Sequence, residues 1–188
     1  MSDRRLIDSI AAEYRRYKAL GDSSLEQVPD DQLSQPGPGG GNSLATICWH
    51  MAGNLKSRFT EFLTTDGEKP WRQREEEFAR RSVSRNELLE KWNEGWKVLF
   101  SALDDLTDAD LDRSVTIRGQ QLAVHEALHR SLAHASYHVG QIVYVAHAIV
   151  GNAWKYLSIP PGGSDAYNAA PTMEKPGLHT EKLSATQS

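Results

Sequence analysis

At 188 residues the chain suits one domain with a core of ordinary size, and an apolar share of 39% with five tryptophans excludes wholesale disorder. A net charge of −4 without any basic block argues against nucleic acid as a partner, and the one cysteine, Cys48, excludes an internal disulfide and fits a reducing compartment. With no apolar signal core at the start and no window apolar enough to span a bilayer, the expectation is a cytoplasmic protein with no membrane association.

In chain order, Asp3 to Leu20 places Leu6, Ile10, Tyr14 and Tyr17 on one face of an amphipathic helix, which Gly21-Asp22-Ser23-Ser24 is expected to stop. The stretch from Glu26 to Gly41, ending QPGPGGG, is broken by Pro and Gly. It is not a phosphate loop, because no Gly-Lys-Ser/Thr follows and no strand precedes. Asn42 or Ser43 caps a second helix running to about Thr64, with Leu44, Ile47, Cys48, Met51, Leu55, Phe59 and Phe62 on its buried face. His50 falls at the border of that face, with Asn54 one turn on and Glu61 three turns on along the same line.

Thr65 to Val83 reads as a charged connection anchored by Trp71 and Phe78. Ser84-Arg85-Asn86-Glu87 is a capping box opening a third helix with Leu88, Leu89, Trp92, Trp96, Leu99 and Leu103 as its stripe. Val115-Thr116-Ile117 favours extended chain and Arg118-Gly119 a turn, so a short hairpin is expected before the last helix. That helix, Ala123 to Val150, carries five of the seven histidines. His134 and His138, four residues apart, differ by only about 40° around the axis, with His138 inside a broad apolar arc and His134 at its edge beside Gln141. His125, His129 and His147 fall on the outer side, and Tyr137 points away from the arc as a surface or dimer-contact residue. After Gly151 the helical period ends, and His179 is taken as incidental.

The economical architecture is an all-α, antiparallel four-helix bundle over residues 1–165, with a short extended hairpin or turn before the last helix and an irregular, mobile tail over 166–188. In such a bundle, His50 on one helix and the His134/His138 pair on another converge as three imidazole ligands. Three is the count that leaves a tetrahedral divalent metal one open position. Zinc and nickel are the first choices and iron a further one, since imidazole suits them all. Asn54 and Gln141 are candidates for supporting the ligands or touching substrate, and Glu61 for orienting a ligand or acting as a base. Cys48, about 160° from His50 around its helix, is discounted as a fourth ligand.

The histidine in Ile47-Cys48-Trp49-His50-Met51-Ala52-Gly53-Asn54-Leu55, followed by His134-Ala135-Ser136-Tyr137-His138-Val139-Gly140-Gln141-Ile142, resembles the DinB/YfiT-like superfamily of small four-helix metalloproteins. Arg58 to Trp71 and Leu157 to Ser164 resemble an uncharacterised branch of it, a domain of unknown function. The resemblance covers most of residues 5 to 165. It implies a divalent metal on His50, His134 and His138, a homodimer, and chemistry on a small-molecule substrate. The relatives it points to include transferases and isomerases that use a low-molecular-weight thiol, held as thiolate at the open position. A metal-dependent hydrolase is the alternative. A non-catalytic metal-binding, structural or stress-response domain is the reading from a different class.

Overall fold

The computed structural model describes residues 3–185. Four long helices make the body: α1 (Arg5–Glu26), α2 (Leu44–Phe59), α4 (Arg85–Asp104) and α5 (Val124–Val150), with the one-turn α3 (Arg74–Glu77) between α2 and α4. Strands β1 (Ser114–Ile117) and β2 (Gln120–Ala123) form the expected hairpin, and α6 (Ser164–Ala169) and α7 (Pro176–Ala185) follow the bundle. Helix α1 packs on α5, α2 on α4, and α5 on α2, so the two histidine-bearing helices are neighbours around the bundle. None of the described helices is long and apolar enough to cross a membrane.

The core is continuous, and its largest buried side chains are Trp92, Trp96 and Tyr14. Burying side chains of this size is the main favourable contribution to folding, about 1.5–3 kcal/mol for each large apolar group. Local signals set the helix starts. Ser43 accepts the Thr46 N–H, and Ser84 with Glu87 closes a reciprocal capping box. In the hairpin, Arg118 and Gly119 both take positive φ, 53° and 73°, as a two-residue turn of matching twist requires. Asp66 accepts both of their backbone N–H groups and so ties this turn to the chain after α2.

Helix α1 departs from expectation at both ends. Its buried face is Ile7, Ala11 and Tyr14, while Leu6 is 59% exposed. Small residues complete this face, and a count of large apolar residues passes over them. Nor does Gly21-Asp22-Ser23-Ser24 stop the helix. Gly21 lies against Trp92, where a Cβ would stand 2.6 Å from the ring; Asp22 accepts the Trp92 indole N–H at 2.7 Å; and Ser24 bonds back to the Leu20 carbonyl. These residues carry helix–helix contact, so tertiary packing outweighs their local preference for turns.

The tail also differs from the irregular segment expected over 166–188. Helix α7 packs on α1, Met173 and Leu183 are buried, and His179 Nε2 donates to the Leu157 carbonyl at 2.8 Å. Two anchors one turn apart, His179 and Leu183, hold a short helix whose other residues are exposed or half-buried, too little to register as a helical period. Residues 186–188 of that expected tail lie outside the described residues.

Candidate metal centre

Helix α5 buries Val124, Ala127, Leu128, Ser131, Ala135, Val139, Ile142, Val145 and Ala146. This arc sets His134 and His138 at its edge, half-buried and facing α2. On α2, His50 is 5% exposed, one turn before Asn54. One ligand nitrogen from each of His50, His134 and His138 lies within 4.8 Å of the others. A single point therefore exists within about 2.8 Å of all three, so inward shifts of less than about 1 Å bring the rings to the 2.0–2.1 Å of a zinc–imidazole bond. The cluster between the helices has the donor set and the spacing to hold a metal ion.

Hydrogen bonds behind the rings decide which nitrogen faces inward. His50 Nδ1 lies 2.9 Å from Glu77 Oε2, and Arg72 grips the same carboxylate through Nε and Nη2 at 2.8 and 2.9 Å. Burial pulls the Glu77 pKa up, but the hydrogen bonds from His50 and Arg72 outweigh it, and the net position is below the usual carboxylate range. An ionised carboxylate only accepts, so His50 Nδ1 carries a proton, and Nε2 is the nitrogen that faces the cluster. His138 Nδ1 donates to Gln141 Oε1 at 2.7 Å, while the Gln141 amide donates to the Tyr137 hydroxyl. That leaves His138 Nε2 for ligation, and both rings have the outer partner that metal-bound imidazoles need.

His134 is the third. Burial first, then His138 and His50, then the charges of Arg72 and Arg58 push its pKa down to about 3, so it is neutral near pH 7. Burial is also the largest cause lowering His138. His50 Nε2 and His134 Nε2 face each other at 3.3 Å, near the separation of about 3.4 Å between two ligand nitrogens of a tetrahedral zinc. Two lone pairs at that distance repel, so without a cation one of these two nitrogens carries a proton. His134 Nδ1 is buried without a hydrogen-bond partner.

Of the remaining residues expected at the site, Asn54 lines the cleft over the histidines. Gln141 sits behind His138 rather than in the cleft, and Tyr137, 63% exposed, meets the site from outside, through Gln141 and edge-on against the His138 ring at 4.9 Å. Glu61 is not brought to the cluster. Helix α2 ends at Phe59, Glu61 takes φ 49°, and it borders a separate depression with Thr60, Leu63 and Glu94. The helical line projected from His50 does not extend that far. Cys48 is fully buried, with its thiol pushed up by burial and by Asp22, a residue of α1, and it is not one of the clustered ligands.

Glu77 and Arg72 were not visible in the sequence. Glu77 is one of three successive glutamates in the charged connection, and nothing in the pattern marks which one turns inward. The connection does fold over the site, through Arg72, Glu77 and Phe78, with Phe78 against the His50 ring at 4.7 Å. Trp71, expected as an anchor, is 52% exposed beside Lys56. The cleft over the histidines encloses about 560 Å³, within the range of small-molecule sites.

The fold and the site define a helical-bundle protein with an open three-histidine cluster between two of its long helices. The chain belongs to the family described as Protein of unknown function (DUF1572), whose profile matches residues 2–163. Neither the curated proteins nor the solved structures gave a match.

Proposed function

We propose that the protein is a metal-dependent enzyme of the DinB/YfiT-like superfamily that transfers a group to or from a low-molecular-weight thiol. His50, His134 and His138 hold a divalent cation, zinc or nickel before iron. The observation that carries this reading is three convergent imidazole nitrogens within 4.8 Å with no fourth protein ligand among the described residues, at the base of an open cleft. Structural zinc sites are closed by four protein ligands; catalytic ones keep a position for an exchangeable group. A divalent cation there supplies the Lewis acidity that holds a thiol as its nucleophilic thiolate.

The chain's own groups do the rest. Glu77 and Gln141 fix the His50 and His138 rings, and Arg72 holds Glu77. Among the described residues no carboxylate lines the cleft to serve as a general base for water, which favours thiol transfer over hydrolysis. We further propose a homodimer. Tyr137 and Tyr144, both more than 60% exposed on α5, support it.

Metal analysis of the purified protein and of His134→Ala tests the centre. About one equivalent in the parent and a large loss in the variant are expected; equal metal in both would refute the three-histidine centre. Cobalt-loaded protein titrated with 2-mercaptoethanol should develop a sulfur-to-cobalt charge-transfer band. No band would refute thiol binding at the metal.

A further inference from the structure

We propose that the cleft over the histidines is a receptor for a small dianion, recognised by Arg74, Arg118 and Arg130. This rests on the cleft being the substrate site, as proposed above, but not on the metal. In a chain of net charge −4, the described residues lining this cleft include five arginines and neither Asp nor Glu. Such a concentration focuses a positive potential where a ligand enters.

Two of the five are committed to the framework. Arg72, its side chain 2% exposed, is bidentate on Glu77, and Arg58 is spent on Glu68 and the Gly67 carbonyl. The other three keep most of their five N–H donors. Arg118 gives only Nε to Glu68, Arg74 gives one N–H to the exposed Glu75, and Arg130 makes no hydrogen bond or ion pair among the described residues. They come from three segments, α3, the hairpin turn and α5, with Arg130 one turn before His134. Nearby, Asp66 is engaged by the backbone N–H groups of Glu68, Arg118 and Gly119. Guanidinium forks match carboxylate and phosphate groups two N–H bonds at a time. The aromatic and aliphatic wall of Phe59, Phe62, Phe78 and Ile117 suits the carbon skeleton between two such groups.

Isothermal titration of the full chain with succinate, in metal-free and zinc-loaded forms at low salt, tests this directly. Binding is expected in both forms, weakened at least tenfold in Arg130→Gln and reduced by added salt, with neutral succinamide inert. Methylphosphonate in parallel tells carboxylate from phosphoryl recognition by which of the two binds tighter. If neither anion binds, or if Arg130→Gln binds both as well as the parent, the inference is overturned. Because Arg130 is exposed, its substitution leaves the core intact. A protein that takes up no zinc when loaded yet binds succinate through Arg130 would refute the metal centre alone; one that holds metal and ignores both anions would refute the anion site alone.

Discussion

Gly53 leaves the notch in α2 that Glu77 fills. A Cβ at position 53 would stand 2.1 Å from Glu77 Oε1 and 2.6 Å from its Cδ. Since the obstructing atoms are the end of a flexible side chain, Gly53→Ala should leave the bundle folded and displace the carboxylate from His50. Loss of an outer partner of a metal ligand costs about 10–100-fold in metal affinity. Chelator competition on Gly53→Ala should show a fall in that range with unchanged helical circular dichroism.

Glu77→Ala should do more. It leaves the Arg72 guanidinium, with 2% side-chain exposure, without its bidentate partner, and Glu68 at 3.9 Å replaces it poorly. Removing one member of a buried ion pair costs about 3–5 kcal/mol. Urea unfolding of the metal-free variant should show a loss of that order, where Gly53→Ala, which keeps the carboxylate, loses less.

The metal-free protein should lose stability as the pH falls. His134 is held neutral in the folded chain, its pKa pushed down to about 3, whereas the unfolded chain takes up its proton near 6.5. Between those values the unfolded state binds more protons, so this contribution is fully present above about pH 6.5 and is lost progressively toward pH 3. Urea midpoints of the metal-free parent should fall over this window, and His134→Ala should flatten the slope.

Gly21 and Trp92 give a prediction away from the site. Val at position 21 would press its branched side chain into an indole that is fully buried and already 2.6 Å from an added Cβ. Overpacking costs about 1–3 kcal/mol, and Val regains only a few tenths of that through helix propensity. Thermal unfolding of Gly21→Val should show a net loss of about 2 kcal/mol.

Much of the bundle was legible because large apolar residues recur at helical spacing in α2, α4 and α5, with Ser43 and Ser84 marking two starts. The three histidines were legible for the same reason, His50 and His134 at the border of an apolar face and His138 inside one. What escaped is what depends on contact at a distance. The end of α1 is held by Trp92, α7 by its docking on α1, and Glu77 turns inward because Gly53 makes room. Glu61 was misplaced because its assignment extended α2 beyond Phe59, where the chain leaves the helix.

The most direct test of the three-histidine centre is X-ray absorption at the metal edge of the purified protein. The expected spectrum has three imidazole nitrogens at about 2.0–2.1 Å and one further light atom or sulfur. A shell of oxygens without imidazole scattering, or four protein ligands with no exchangeable position, would contradict an open centre on His50, His134 and His138.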